Sequence, residues 1–138
     1  MDALVVDSSG LLAAIDAGEP DHERVSELLG RDSRPLVVTD FVLAEVDYLV
    51  LRRLGAAAER ALVEQVLEGI LTREPVSDAD LRRALEIGAR YADCGLGLTD
   101  TTLMAVAERM RLRQVLTLDR RHFSVFRDRR GRALELLP

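Results

Sequence analysis

The chain has 138 residues, 48% of them apolar and 31% charged, which supports one domain (residues 1–138) with a buried core and is too short for two. A single cysteine, Cys94, excludes an internal disulfide, two histidines are too few for a zinc cluster, and the 19 basic residues are all arginine, which excludes chemistry that needs a lysine. The net charge of −5 argues against a general affinity for nucleic acid, yet residues 109–138 hold nine arginines against Asp119, Asp128 and Glu135 for a net +6, leaving −11 on the rest, an asymmetry suited to a polyanionic partner.

The amino terminus has neither a basic leader nor a long apolar stretch, and no run approaches a membrane span, so a soluble, cytoplasmic protein is expected. Ala3 to Val6 is a continuous apolar run, the signature of a parallel strand buried on both faces, and Asp7 stands at its carboxyl end. Ser8 and Ser9 offer caps for a helix bearing Leu11, Leu12 and Ile15 inward; a second helix is expected from Asp21 to Leu29. Leu36 to Val38 reads as the next strand, and Thr39 or Asp40 caps a long helix from Phe41 to Leu54, closed by Gly55. That helix is apolar nearly all round, so it is deeply buried or shared with a partner subunit.

Two acids interrupt it. Glu45 shares a stripe with Phe41, Val42 and Leu49 and lies ~8 Å from the helix start, whereas Asp47 lies ~11 Å along and on the opposite side. Helices then read from Ala56 to Leu71 and from Ser77 to Tyr91, with a short strand in Arg73 to Val76 between them; Ser77 and Asp80 make a capping box with a short acid. From Asp100 the apolar residues Leu103, Met104, Val106, Ala107 and Met110 mark a helix whose buried stripe begins at the aspartate, and Val115 to Leu118 follow as a strand ending at Asp119. A helix of about twelve residues descends ~18 Å. A parallel strand of about five climbs back ~17 Å, returning Asp119 to the level of Asp100. Arg132 to Leu137 reads as a final edge strand.

Alternating strands and helices imply an α/β fold with a mostly parallel sheet covered on both sides, and Asp7, Glu45, Asp100 and Asp119 then share the end where strands finish. Singly, each has a plain structural explanation: Asp7 or Asp100 as a helix cap, Asp119 as a turn opener, Glu45 paired with Arg52 or Arg53. Together, four anions on one face repel unless a cation is bound, and carboxylates suit Mg²⁺ or Mn²⁺. Such a site fits phosphodiester hydrolysis, with Glu45, the longest side chain, orienting or deprotonating water and the other three as metal ligands. Asp93, seven residues before Asp100, reads as a solvated helix-end charge or a fifth member of the site, and His122 as a lone surface histidine or a substrate contact. Thr117 shares Asp119's side of its strand and could bond an acid or a phosphate, and the arginines at 120, 121, 127, 129, 130 and 132 would suit RNA phosphates or a solvated surface.

The blocks LVVDSSGLLA around Asp7, TDFVLAEVDYLV around Glu45, LGLTDTTLMAVAERM around Asp100 and VLTLDRRHF around Asp119 together resemble a PIN-domain nuclease of the VapC toxin type. The resemblance implies a three-layer α/β/α fold, Mg²⁺- or Mn²⁺-dependent endoribonuclease activity, a homodimer, and a cognate VapB-like antitoxin that covers the active site. It also carries Asp7, Glu45, Asp100 and Asp119 over as an acidic quartet, and Thr117 as a polar helper. A phosphoacceptor receiver would need a lysine on a late strand, and a haloacid-dehalogenase-like phosphatase an aspartate where Ser9 stands. The remaining rival is a PIN-like module that binds RNA or a protein without cutting.

Overall fold

In the computed structural model, which describes residues 1–138, five strands form one parallel sheet. The elements are β1 (Leu4–Val6), α1 (Ser8–Ile15), α2 (His22–Arg31), β2 (Leu36–Thr39), α3 (Asp40–Leu54), α4 (Ala56–Leu67), β3 (Leu71–Glu74), α5 (Asp78–Arg90), α6 (Leu98–Met110), β4 (Gln114–Leu116), α7 (Arg120–Phe123) and β5 (Glu135–Leu137). Helices cover both faces of the sheet in the expected three-layer α/β/α arrangement.

The strand order is β3-β2-β1-β4-β5, with β1 central and the chain crossing from its β2 side to its β4 side. Val5 pairs with Val37 on one side and Val115 on the other, and all three are fully buried, as a continuous apolar run in a doubly covered sheet requires. The reversal of direction beside β1 opens a crevice at the carboxyl ends of β1 and β4, where parallel α/β proteins place their ligands.

Several element limits differ from those read in the sequence. The helix expected to run to Leu71 stops at Leu67, because Gly69 takes a left-handed φ of 81°, and Leu71 instead opens β3. The strand expected over Val115 to Leu118 ends at Leu116, since the backbone of Leu118 turns to donate to Ser9 Oγ rather than to a neighbouring strand. Neither Ser8 nor Ser9 caps α1; Asp7 does, accepting from Gly10 N at 2.8 Å. The expected caps of Thr39 on α3 and of Ser77 with Asp80 on α5 are present. The apolar surface of α3 is divided: Val42, Val46 and Val50 are buried, while Tyr48, Leu51 and Leu54 face out.

Gly10 fixes how closely α1 approaches the sheet. A Cβ there would lie 2.4 Å from the carbonyl oxygen of Leu116, the same oxygen that accepts from Asp7 N at 3.2 Å. Gly10→Ala therefore pushes α1 and Asp7 off β4, and should cost about 1–3 kcal/mol of stability. Urea unfolding would check this, and a change within ~0.5 kcal/mol, typical of a neutral surface substitution, would contradict it.

Candidate active site

Asp7, Glu45, Asp100 and Asp119 line one cleft of about 310 Å³, together with Ser8, Ser9, Gly97, Leu98, Thr99 and His122. No arginine lines it. Each acid reaches the cleft by a different route: Asp7 leaves the end of β1, Glu45 projects from the second turn of α3, Asp100 lies in the first turn of α6, and Asp119 follows β4 as the cap of α7. α6 begins at Leu98, two residues earlier than the sequence suggests, and its cap is Gly97, so Asp100 caps nothing.

Asp7 is the most constrained of the four, with 3% of its surface exposed. Its carboxylate accepts from Thr117 Oγ1 at 2.6 Å, from Gly10 N at 2.8 Å and from Ser9 Oγ at 2.8 Å. Ser9 Oγ in turn accepts from Leu118 N, and Thr117 Oγ1 from Asp119 N, both at 2.9 Å. These bonds tie the start of α1 to the end of β4. Thr117 is buried, and its hydroxyl donates to the acid. Ser9 is the member that sequence reasoning missed; the signal was a serine two residues after a strand-end aspartate, within reach of the same carboxylate.

Burial pushes the Asp7 carboxyl up to about 6, against the favourable hydrogen bonds from Thr117, Gly10 and Ser9, and with a smaller push from Asp100. Asp100 is raised as well, first by burial, then by repulsion from Asp119 and, more weakly, Glu45, with His122 opposing. Asp7 and Asp119 each act on Asp100 or feel it in return, so the acids share one field. Glu45 is exposed and free of the arginines that might have paired with it, since Arg52 donates to Tyr48 Oη and Arg53 to Glu19, each at 2.7 Å.

His122 belongs to the site and is not the lone surface histidine expected. Its Nδ1 lies 2.9 Å from Asp119 Oδ2 and 3.3 Å from Asp100 Oδ2. One ligand atom from each of Asp100, Asp119 and His122 falls within 4.8 Å of the other two. That is the compact grouping a single cation needs, and the mutual repulsion of Asp100 and Asp119 is what a cation would relieve. Asp7 and Glu45 line the same cleft outside this grouping.

The remaining candidates sort plainly. Asp93 is exposed in a short 3₁₀ turn and does not line the cleft. Arg120 donates to the Pro138 carbonyl at 2.7 Å and Arg121 is exposed, so Asp119 is not neutralised by the two arginines that follow it.

An open parallel sheet with a carboxylate cleft at its switch point defines a class of α/β protein rather than one activity. Comparison with known proteins narrows it. Residues 4–128 match the family model described as PIN domain. A protein named Ribonuclease VapC26, from Mycobacterium tuberculosis, is 39% identical over 135 residues, covering 98% of this chain and all of its own length. The chain therefore belongs to the PIN-domain family, in its VapC group. Solved structures share the fold: VapC20 of M. tuberculosis, described as a sarcin-ricin loop cleaving toxin, superimposes with a TM-score of 0.85 at 21% identity, covering 99% of this chain and all of its own. The DNA-bound VapBC of Salmonella typhimurium follows at 0.71 and 19%, covering 99% of this chain and 97% of that one.

Proposed function

We propose that this protein is a divalent-metal-dependent endoribonuclease and the toxin of a VapBC-type toxin–antitoxin pair. The observation that carries the proposal is the convergence of Asp7, Glu45, Asp100 and Asp119 on one cleft without an arginine, in a chain 39% identical to a ribonuclease along its length.

Asp100 and Asp119 supply oxygen ligands suited to Mg²⁺ or Mn²⁺, and the softer nitrogen of His122 weights the choice toward Mn²⁺. When bound, such an ion polarises a phosphoryl oxygen and stabilises the departing one. Asp7, fixed by Ser9 and Thr117, completes the anionic wall that positions the ion. Glu45, exposed at the cleft mouth, is free to orient the attacking water and take its proton. Arg120 and Arg121, exposed beside His122, are placed to meet phosphates at the rim.

For partners, the VapBC assemblies among the structural neighbours support a cognate antitoxin. A cavity of about 750 Å³ between α1, α2 and α4, lined in part by Leu11, Ile15, Leu29 and Ile70, offers an apolar seat for one of its segments. Large apolar side chains left in solvent, Tyr48 and Leu51 on α3 and Leu85 on α5, support a homodimer. No helix is long and apolar enough to cross a membrane, and we assign the protein to the cytoplasm, where its RNA would be.

The test is incubation of RNA with the purified protein and Mn²⁺ or Mg²⁺, with products resolved on a denaturing gel. Discrete fragments that disappear in excess EDTA are expected. Retarded but intact RNA at every divalent ion would replace the nuclease reading with a binding module. A rise in thermal midpoint on adding Mn²⁺ is expected independently of activity, because an ion that binds only the folded state stabilises it by about 2.7 kcal/mol at a hundredfold excess over its Kd. An unmoved midpoint up to millimolar Mn²⁺ would count against the cation site.

A further inference from the structure

The structure sorts the arginines of the basic C-terminal third into those with a partner and those without. Arg109 is held by Asp80 and Glu74, Arg113 by the Ala133 carbonyl, Arg127 by the carbonyls of Ser124 and Phe126, and Arg132 by Asp128. Arg129 is held by Glu86 and Glu108 and Arg120 by the Pro138 carbonyl, while Arg121 is exposed without a partner. Arg111 and Arg130 likewise have no side-chain partner in the protein. With Glu108, Asp128, Arg129 and Arg132 they line a cleft of about 150 Å³ that contains no apolar residue.

The two acids in that cleft are already satisfied. Glu108 accepts from Arg83 at 2.8 and 3.0 Å and from Arg129 N at 3.0 Å. Asp128 accepts from Arg130 N, Arg132 N and Arg132 Nε, each at 2.9 Å. Within the cleft the guanidinium groups of Arg111 and Arg130 are thus left without a counter-charge, while Arg129 and Arg132 have theirs. The carboxyl end of α6 offsets only about half a charge of this. Arg111 also sits at a φ of 58°, the left-handed position that ends a helix and favours glycine, so a guanidinium is held there against a backbone preference.

The cleft has a fixed relation to the acids. α6 begins beside them at Leu98 and ends here at Met110, 13 residues and so ~20 Å away. Arg90, whose guanidinium stands 5.6 Å over the Tyr91 ring, is a further exposed cation, and the backbone N–H of Arg127 donates to the same tyrosine's Oη at 3.1 Å. We infer that the charged cleft between the end of α6 and the Arg127–Arg132 turn is a second phosphate-binding site, in which Arg111 and Arg130 grip the backbone of an RNA strand whose scissile bond lies over the acids. At ~3.4 Å per stacked nucleotide the span is about six nucleotides, so the preferred substrate is an RNA with a flank at least that long on one side of the cut. The inference rests on the RNA reading above.

The test is fluorescence anisotropy of a labelled 20-nucleotide RNA and a 4-nucleotide RNA of the same core, in EDTA so that nothing is cut. The double variant Arg111→Gly/Arg130→Ser should weaken binding of the long RNA about tenfold and flatten its log Kd against log salt by about 1.4, two contacts at ~0.7 each. Binding of the short RNA should be unchanged. Glycine suits the backbone at 111, so folding is preserved, and Arg130→Glu alone should act in the same direction. Arg24→Ser/Arg60→Ser, the same charge change elsewhere, should show no length dependence. An unchanged long-RNA affinity, or an equal loss for both lengths, would overturn the site. Failure of the wild type to cut RNA in Mn²⁺ would instead overturn the nuclease reading while leaving a length-dependent binding result standing.

Discussion

Asp100→Asn should lower RNA cleavage by about a hundredfold or more while leaving the fold intact. The side chain is half-buried in the first turn of α6, is not the helix cap, and accepts no hydrogen bond from the backbone, so the amide fits without unmaking a structural contact. What changes is charge. Within the three-ligand grouping Asp100 feels Asp119 and His122, and outside it Glu45. In the proposed cation site, neutralising it would remove an anionic ligand and the field that concentrates a cation over the scissile phosphate. Circular dichroism of the variant should match the wild type. A variant that still cleaves at the wild-type rate would remove Asp100 from the reaction.

Asp7→Asn separates stability from activity. In the folded chain the Asp7 carboxyl is raised to about 6 from an ordinary 3.8, so between those values the folded state holds a proton that the unfolded state has released. Stability linked to Asp7 is therefore full below about pH 4, falls as pH rises through 6, and stays low above it. Asparagine keeps the cap to Gly10 N and can reorganise with the Ser9 and Thr117 hydroxyls without a buried charge. The variant should gain up to about 3 kcal/mol over the metal-free wild type at pH 8 and nothing at pH 4, while losing cleavage. Asp32, Asp80 and Asp128 are lowered by hydrogen bonds from arginine side chains and nearby backbone groups, and they contribute the opposite trend, so the difference between variant and wild type is the quantity to measure. Chemical unfolding at several pH values would supply it, and a variant less stable than the wild type at pH 8 would contradict the assignment of a buried anion.

The parts of the fold legible in the sequence were those dictated by local pattern. Ala3 to Val6 announced a doubly buried strand, Ser77 with Asp80 a capping box, and the stripe from Leu103 to Met110 a helix long enough to cross the sheet once. The four acids followed because strand ends in a parallel sheet share one side. What could not be read depends on contacts between distant residues. Nothing local says that Ser9 Oγ meets Leu118 N, or that the Thr117 hydroxyl is spent on Asp7, more than a hundred positions away. The helix after Ala56 ended early because Gly69 adopts a left-handed φ that its apolar neighbours do not signal. His122 was legible in principle, since it lies one helical turn after Asp119. Its isolation in the sequence concealed that the same turn also brings it to Asp100. The basic tail could be counted but not sorted, because which arginines keep a free guanidinium is decided by groups far off in the chain, Glu74 and Asp80 for Arg109 and Glu86 and Glu108 for Arg129.

The most direct test of the cation site is a Mn²⁺ titration of one protein preparation followed in two ways, by the heat of binding and by the rate of RNA cleavage. The wild type should bind one ion at the Asp100, Asp119 and His122 grouping, the cleavage curve should superimpose on the binding curve, and both should vanish in Asp100→Asn. Full cleavage in excess EDTA, or saturable Mn²⁺ binding that persists in Asp100→Asn, would contradict it.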